Sequence, residues 1–325
     1  MENNTQLKEM IRSMVIDILQ GQKQEMASSQ PIKQAPRGQV EPGVFDTVDE
    51  AIQAAKAAQA RFEDCTLATR EKVIADIRAA MRPRVQELAQ KTVDETGMGR
   101  VADKVLKLNL TLNKTPGVED LVTECETGDN GMTLYELSAY GVIGAITPST
   151  NPAETLICNS IGMLAAGNAI FFSVHPGAKN LSRELVSELN QVIAKSIGIE
   201  NLIVTLREPS IESAQEMMLH PDVSLLVVTG GPGVVKQALQ SGKKVIGAGA
   251  GNPPAFVDET ADIKKAAQDI VLGASLDNNI LCIAEKSVVA MRQIEPQLVE
   301  EMIKAGCVLV ENQQDIQRLV DLTVL

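Results

Sequence analysis

The side chains of this chain that could do covalent chemistry are its five cysteines, Cys65, Cys125, Cys158, Cys282 and Cys307. Their number is odd, and none stands in the CxxC or Cys/His spacing that is typical of a metal site. Because the histidines are only His175 and His220, a histidine-rich metal site is excluded, and we predict no metal. We expect free thiols in a reducing cytoplasm, one of which is reactive.

A reactive thiol must be positioned by the elements around it. From about residue 140 onward, short β-branched runs alternate with amphipathic helical segments. This βαβ alternation predicts a parallel sheet with helices on both faces. Ligands of such sheets bind at the carboxyl ends of the strands, so we expect the chemistry at the turns that follow them. Short β-branched runs predict strands at 141–146, 169–174, 202–206, 224–228 and 245–248, and helical patterns lie between them at 153–166, 178–197, 210–219 and 232–241.

The turns after these strands supply the candidate ligand-binding residues. Glycines there let a backbone approach a ligand closely, and helix N-termini offer N–H groups to phosphate. None of the turns has the GxGxxG spacing of a dinucleotide fingerprint, and such turns often only connect elements. The candidates are Thr147, Pro148, Ser149, Ser173, His175, Pro176, Thr229, Gly230, Gly231, Gly247 and Gly249.

The N-terminal segment differs in texture from the rest of the chain. An apolar stripe at helical spacing, from Leu7 to Leu19, predicts an amphipathic helix over residues 1–20. Residues 21–43 are rich in Gln, Pro, Ser and Gly, which predicts a flexible linker. An amphipathic helix on a flexible linker is typical of a docking peptide. The alternative is a first helix that packs on its own domain. Further on, helical patterns cover 50–60 and 69–96, and 97–136 are predicted to be rich in loops.

Composition excludes several classes of protein. The 325 residues, 44% hydrophobic and 22% charged, are ordinary for a globular protein and suffice for two compact units. A net charge of −12 with 2% aromatic residues lacks both the basic field and the stacking rings that nucleic-acid binding needs. The apolar runs are shorter than the roughly 18 residues that span a bilayer, so we expect no membrane partner.

Seven segments in a fixed order carry a family resemblance: ETGMGR (95–100), TPGVED (115–120), TPSTNP (147–152), HPGAK (175–179), VVTGGPG (227–233), GAGAGNPP (247–254) and DNNILCIAEK (277–286). From about residue 44 to 291 the chain resembles the CoA-acylating branch of the aldehyde dehydrogenase superfamily. Within that branch it most resembles the propionaldehyde dehydrogenases of propanediol-utilisation bacterial microcompartments. The acetaldehyde dehydrogenases of ethanolamine utilisation are the near alternative.

The resemblance implies an aldehyde dehydrogenase-like α/β fold: a cofactor domain with a parallel, doubly wound sheet, and an incomplete α/β catalytic domain. We divide the chain into a docking or encapsulation helix (1–20), a flexible linker (21–43), an NAD-binding domain with N-terminal helices (44–246) and a partial catalytic domain (247–325). A helix at 294–305 and a strand at 307–310 are predicted in this last part. Because family members continue for well over a hundred further residues, we expect weak or no activity from this polypeptide alone.

The resemblance makes Cys282 the nucleophile that attacks the aldehyde carbonyl. A buried, inert cysteine is the alternative, and we keep it for the other four thiols. The oxyanion needs donors, which the family takes from the main-chain N–H of the cysteine and from an Asn side chain. A gapless register puts Thr150 at that Asn, and Asn151 one residue later is the better donor, with Thr150 as its substitute. Equally, Asn151 could only cap the next helix.

A missing carboxylate predicts the fate of the acyl group. Hydrolytic relatives carry a Glu that activates water, and the matching position here is Gly247. Without a general base water attacks poorly, whereas the thiol of coenzyme A needs far less help. The resemblance implies NAD as cofactor and coenzyme A as co-substrate. Ser173 stands where those relatives hold the adenine ribose with Lys, and His175 either meets a phosphate or is structural.

Two functions remain open from the sequence. The first is NAD-dependent oxidation of a short aldehyde, propanal before others, to its acyl-CoA. The second is a truncated, non-catalytic microcompartment cargo or interaction protein; hydrolytic release to the free acid is a weaker third. The expected partners are the aldehyde, coenzyme A, a shell protein bound through residues 1–20 and, in the complete family form, further copies of the chain. The expected location is the cytoplasm, inside a bacterial microcompartment.

Overall fold

The structure, a computed structural model, describes residues 41–323, so the predicted docking helix and nearly all of the linker lie outside the described residues. The strands are β1 (Val44–Phe45), β2 (Glu124–Gly128), β3 (Gly131–Tyr135), β4 (Val142–Ile146), β5 (Ala169–Ser173), β6 (Ile203–Leu206), β7 (Val223–Thr229), β8 (Lys244–Ala248), β9 (Pro254–Val257) and β10 (Ser287–Ala290). The helices are α1 (Val48–Glu63), α2 (Leu67–Met81), α3 (Val85–Thr96), α4 (Val101–Lys114), α5 (Pro152–Ala165), α6 (Lys179–Ile197), α7 (Ile211–Leu219), α8 (Pro232–Leu239), α9 (Ile263–Ser275), α10 (Glu295–Lys304) and α11 (Gln313–Thr323).

Six parallel strands form the main sheet, in the order β1-β6-β5-β4-β7-β8. The central strands β4 and β5 read VIGAI and AIFFS, and every residue of both is buried. Such unbroken apolar runs are typical of a parallel sheet whose two faces are both covered. The predicted doubly wound sheet and all five of its predicted strands are confirmed, with ends that differ by one residue.

The strand order reverses at β4, and this reversal places helices on both faces. The chain runs from β4 through α5 to β5 and through α6 to β6, and then returns through α7 and α8 to β7 and β8. Because such crossovers are right-handed, the two directions of travel put the two helix pairs on opposite faces. Helices α2, α3 and α4 pack outside α5 and α6 as a further layer.

Local sequence signals explain where the helices begin and end. The side chains of Thr47, Thr66 and Asp262 accept main-chain N–H groups at the starts of α1, α2 and α9. Gly97 and Gly198 end α3 and α6 in the left-handed conformation that favours glycine. These caps satisfy main-chain N–H groups at the helix starts and allow the chain to turn at the helix ends.

Three expectations about the elements were wrong. The pattern at 69–96 is interrupted by the 3₁₀ turn Arg82–Arg84 around Pro83, which cannot donate a main-chain hydrogen bond. The span 97–136 contains α4 and the antiparallel hairpin β2–β3 rather than mostly loops. The predicted strand at 307–310 is not formed, and these residues pair with no strand among the described residues. The helix predicted at 294–305 is confirmed by α10.

A second, smaller core lies beyond the main sheet. Strands β9 and β10 pair in parallel, and Val257 of β9 packs with Ala267, Ile270 and Leu298. The boundary predicted after residue 246 falls inside β8, which is a strand of the main sheet. Among residues 41–323, no helix is long and apolar enough to cross a membrane.

Gly144, in the middle of β4, tests how tightly the main sheet is packed. A Cβ there would lie 2.1 Å from Sδ of Met217 and 3.0 Å from Cδ2 of Leu226. We expect Gly144→Ala to destabilise the fold by about 1–3 kcal/mol, because an added methyl group overpacks a full core. Thermal unfolding followed by circular dichroism should show a Tm that is several degrees lower.

The matched control is Gly162→Ala in α5, where a Cβ would meet nothing within 4 Å. Alanine is favoured over glycine in a helix by roughly 0.5–1 kcal/mol, so this variant should melt at or above the wild-type Tm. Equal melting of the two variants would contradict the packing described for β4.

Candidate active site

A cavity of about 610 Å³ opens at the carboxyl ends of β4, β5, β7 and β8. Its walls are the turns 147–151, 173–176, 229–231 and 248–251, together with the segment 279–282. This is the point at which the strand order reverses, where sheets of this kind bind their ligands. The cavity therefore lies where the sequence predicted the chemistry.

The structure brings together all but one of the predicted site residues. Gly247 does not line the cavity, because it lies inside β8, where a Cβ would be 3.2 Å from Cγ1 of Val235 on α8. Lining the cavity are Cys282, Asn151, Thr150, Thr147, Pro148, Ser149, Ser173, His175, Pro176, Thr229, Gly230, Gly231 and Gly249.

Cys282 is exposed and lies in the wall of this cavity. The ammonium group of Lys286 donates to the main-chain oxygens of Leu281 (2.8 Å) and Ala284 (3.1 Å), so it brackets the turn that carries the thiol. The turn also lies against Gly251, where a Cβ would be 2.2 Å from the carbonyl oxygen of Cys282. Contacts from both sides therefore hold the main chain of Cys282.

The other four thiols lie outside the cavity lining. Cys125 and Cys158 are exposed, so the expectation that they are buried was wrong. Cys125 lies in the solvent-facing hairpin β2–β3 and Cys158 on the outer side of α5, where the apolar pattern gave no sign of exposure. Cys65 and Cys307 are partly exposed. Cys282 is thus the thiol that combines exposure with a concave site.

Carboxylates are absent from the cavity wall: among the described residues that line it, none is Asp or Glu. Gly247, which the sequence matched to the Glu of hydrolytic relatives, is not part of the lining. The absence of carboxylates from the described lining therefore does not depend on that match. The acid nearest in sequence is Glu285, whose carboxylate lies against α9, where a Cβ at Gly273 would be 2.1 Å from Oε2. A carboxylate that could act as general base for water is therefore missing from the described lining.

Asn151 precedes α5, but its side chain makes no capping hydrogen bond. Its Oδ1 accepts a hydrogen bond from Nζ of Lys107, and its Nδ2 donates to Oγ1 of Thr150 at 3.2 Å. The alternative that this side chain only caps the helix was wrong, because the lysine competes for the carbonyl end. The amide thus has a fixed orientation with its N–H group beside Thr150.

Behind this turn lies a buried ion cluster, the lysine–aspartate cluster, formed by Asp277, Lys104 and Lys107. The side chains of Asp277 and Lys104 are 0% exposed, and Lys104 Nζ lies 3.0 Å from Asp277 Oδ2. Lys107 donates to the same oxygen. Buried charges are tolerated only when they are paired and hydrogen-bonded, and here each partner is needed by the others.

The cluster shifts the protonation equilibria of its members. Burial alone would raise the pKa of Asp277, but hydrogen bonds from Lys107, the Arg100 main chain and Lys104 outweigh it and lower this pKa below its ordinary value. Burial also lowers the pKa of Lys104, against the opposing charge of Glu154. Asp277 is therefore an anion at neutral pH and gives Lys107 a fixed counter-charge.

Sequence reasoning missed these three residues. Asp277 was inside a quoted motif, five residues before Cys282, but had no assigned role. Lys104 and Lys107 are three residues apart, so they share one face of α4. The available signal was the pattern of α4 itself, which exposes Leu106 and Leu110 while it buries both lysines. A helix that turns its lysines inward indicates a buried anion nearby.

The cavity also carries groups that suit a phosphate-bearing cofactor. Oγ1 of Thr147 is buried and has no hydrogen-bond partner among the described residues. A Cβ at Gly231 or Gly249 would meet nothing within 4 Å, so these main chains face open space. His175 accepts the N–H of Gly177 at Nδ1 (3.0 Å), which is a structural role and leaves Nε2 as a donor.

The Aldehyde dehydrogenase family matches residues 18–317 of the chain. The chain belongs to the aldehyde dehydrogenase family. It is 48% identical over 307 residues to the propanal dehydrogenase (CoA-propanoylating) of Salmonella typhimurium, a match that covers 94% of this chain and 64% of that protein. The resemblance to the CoA-acylating branch is thereby confirmed.

Two solved structures share the fold. A propionaldehyde dehydrogenase from the fucose-utilisation bacterial microcompartment of Clostridium phytofermentans is 48% identical, with a TM-score of 0.82 over 87% of this chain and 65% of that one. A propionaldehyde dehydrogenase of Rhodopseudomonas palustris, with bound CoA and an acylated cysteine, is 49% identical, with a TM-score of 0.83 over 87% of this chain and 65% of that one. The chain therefore spans slightly less than two-thirds of the length of these relatives.

The close approach of Gly251 to Cys282 gives a direct test of the site. In Gly251→Ala the new methyl group must push the Cys282 main chain away, since its contact is a backbone atom. The alkylation rate of a thiol follows its thiolate fraction and its exposure, so this movement of the Cys282 main chain should measurably change the rate at which iodoacetamide alkylates Cys282. Peptide mass spectrometry measures the rate at each thiol.

Gly249→Ala is the matched control, because it adds the same methyl group to the same turn in open space. It should leave alkylation of Cys282 unchanged, and Cys125 should react alike in both variants. If Gly251→Ala alkylates at the wild-type rate, the described contact with Cys282 is wrong.

Proposed function

We propose that this chain carries the nucleophile and the cofactor cavity of a CoA-acylating aldehyde dehydrogenase. The reaction is oxidation of a short aldehyde, propanal or acetaldehyde, to its acyl-CoA. One observation carries the proposal: Cys282 lies exposed in a cavity at the strand ends whose described lining contains no carboxylate. The relatives with CoA-acylating names support the same reaction class.

The chemistry begins at the sulfur of Cys282. The thiolate attacks the aldehyde carbon, a C–S bond forms, and the carbonyl oxygen becomes an oxyanion. The main-chain N–H of Cys282 makes no hydrogen bond within the described residues and is free to donate. The Asn151 amide, which lines the same cavity, is held in a fixed orientation. A bound NAD⁺ would supply the acceptor for the hydride that leaves the same carbon. Cys282 is then left as a thioester.

The missing carboxylate decides how this thioester is released. General-base assistance to water is commonly worth about 10²–10⁴-fold, and the described cavity wall offers no acid to supply it. The thiol of coenzyme A has an ordinary pKa near 8.5, so a few per cent is thiolate at neutral pH and can attack unaided. Acyl transfer restores the Cys282 thiol and favours acyl-CoA over the free acid.

The cofactor groups are assigned from the same lining. The open main chains at Gly231 and Gly249 can approach phosphates closely, and the unpartnered hydroxyl of Thr147 can pair with a polar group of the ligand. Nε2 of His175 is an available donor for a phosphate oxygen. We take NAD as the cofactor and coenzyme A as the co-substrate of this cavity.

Substitution at Cys282 separates this reaction from its rivals. With propanal, NAD⁺ and coenzyme A, we expect the weak NADH formation of this polypeptide, followed at 340 nm, to require both Cys282 and coenzyme A. Cys282→Ser should abolish it, because a hydroxyl is a far weaker nucleophile than a thiolate. Cys158→Ser, which alters an exposed thiol outside the cavity, is the control and should keep the wild-type rate.

Other outcomes would favour the rival functions. Undiminished propanoate formation without coenzyme A would favour hydrolytic release. A Cys282 thiol that alkylates as slowly as Cys307, with no protection by NAD⁺ or coenzyme A, would favour the non-catalytic cargo protein. A series of aldehydes of increasing length would decide between acetaldehyde, propanal and longer substrates.

We also propose that residues 1–20 dock on a microcompartment shell protein. Support comes from the apolar stripe in the sequence and from the microcompartment origin of a relative of known structure. Helix-in-groove binding depends on that stripe, so Ile11→Glu should abolish encapsulation of a fused fluorescent protein. Ser13→Glu adds the same charge opposite the stripe and should leave encapsulation intact. Encapsulation that survives deletion of residues 1–20 would contradict the proposal.

A further inference from the structure

Three consecutive residues before Cys282 adopt the left-handed conformation. They are Asp277 (φ 49°, ψ 42°), Asn278 (φ 55°, ψ 30°) and Asn279 (φ 59°). Non-glycine residues rarely enter this region, and runs of them are rarer still, although Asp and Asn tolerate it best. Residues in such sparsely populated conformations persist only where the surrounding structure holds them, and they cluster at functional sites.

The surroundings hold this turn at both ends. Asp277 accepts the Arg100 main-chain N–H at Oδ1 (2.8 Å), and its own N–H donates to Asp103 at 3.0 Å. Nδ2 of Asn279 donates to the main-chain oxygens of Ala274 (2.6 Å) and Glu285 (3.1 Å).

The ETGMGR motif, which the proposed reaction leaves without a role, forms part of this clamp. A Cβ at Gly99 would lie 2.1 Å from Asp277 Oδ1, and Gly99 has φ +79°, so both space and conformation favour glycine there. Arg100, at the end of the motif, also donates to the main-chain oxygen of Ser275 (2.9 Å).

The same lysines that bind Asp277 also hold the turn at Thr150 and Asn151, which lines the cavity. Lys104 Nζ donates to the main-chain oxygen of Thr150 at 2.5 Å, and Lys107 donates to Oδ1 of Asn151. One buried anion therefore connects the turn before the thiol to the turn that carries the carboxamide. Because Lys107 donates to Oδ1 of Asn151, the Nδ2 group is the end of this amide that remains to donate hydrogen bonds.

We propose that the lysine–aspartate cluster is a positioning device that sets the Asn151 carboxamide relative to the Cys282 thiol. The proposal rests on the proposed function, in which these two groups act on one carbonyl. Lys107 is its central positioning residue, because it contacts both Asp277 and Asn151. None of the three cluster residues lines the cavity, so they act through the groups they hold.

Charge balance in this region shapes the test. The cations are Arg100, Lys104 and Lys107, and the anions are Asp103, Glu154 and Asp277. Glu154 is buried and lies 3.3 Å from Lys107 Nζ, but neither of its carboxylate oxygens accepts a hydrogen bond among the described residues. Removing Lys107 alone would thus leave an unbalanced buried anion, whereas Lys107→Met with Glu154→Gln keeps the region neutral.

The test compares two reactions of Cys282 on the full chain. Acylation by p-nitrophenyl acetate forms a C–S bond, releases nitrophenolate and passes through an oxyanion; alkylation by iodoacetamide passes through none. In the neutral double variant we expect the acylation burst to slow by about tenfold or more, since one oxyanion donor is worth roughly 10²–10³-fold. Alkylation should stay near the wild-type rate, as should the Tm. Lys107→Arg, which keeps the charge, should recover most of the burst.

Lys114→Met is the matched control, because Lys114 is exposed at the end of the same helix, and it should change neither reaction. Hydrogen–deuterium exchange gives a readout that needs no chemistry: in the double variant we expect faster exchange in both 276–282 and 150–155. If the wild-type protein shows no acylation burst but the double variant exchanges faster in both segments, the proposed function is refuted and the positioning proposal is supported. Unchanged exchange in both segments, or acylation and alkylation falling equally with Tm, would overturn the positioning proposal.

Discussion

A single buried carboxylate, Asp277, joins three parts of the chain that are far apart in sequence. It takes hydrogen bonds from the main chain at Arg100 and from two lysines of α4, and it stands five residues before Cys282. An unpaired charge in the protein interior is strongly destabilising. Removing any one of these charged partners would therefore leave another one buried without a partner. The geometry of the cavity wall is therefore fixed from behind, by groups outside the cavity lining.

The main sheet supplies the complementary constraint. Its apolar centre needs helices on both faces. Because the crossovers are right-handed and run in two directions from the middle of the sheet, a crevice remains at the carboxyl ends of the strands where the strand order reverses. The turns 147–151, 173–176, 229–231 and 248–251 follow strand ends at that crevice, so their side chains owe their proximity to strand order, whereas the segment 279–282 follows α9. The turns can then vary in chemistry without disturbing the core. Here they carry hydroxyls, glycines, one carboxamide and one imidazole, and the described lining has no acid.

The sequence predicts best what buried apolar periodicity controls. Strands β4 and β5 and helices α5 and α6 were found within a residue or two of their true ends, because each is an unbroken apolar run or a clear stripe. Helix α4 was missed because its buried face contains Lys104 and Lys107, which read as surface positions. The hairpin β2–β3 is exposed on both faces and so leaves no alternation to detect. The run at 307–310 had strand-like residues, but a strand also needs a neighbour, which local sequence does not reveal.

For the site, motif order located Cys282 and the turns, while the partner of each side chain depended on folding. Whether Asn151 caps a helix or is turned by a lysine is decided by α4, more than forty residues earlier. The lack of an acid in the described cavity lining has a bioenergetic consequence under the proposed reaction. Because no carboxylate there helps water to attack, the free energy of the oxidation would be kept in a transferable thioester instead of being lost as heat. The cell would thus gain an activated acyl group.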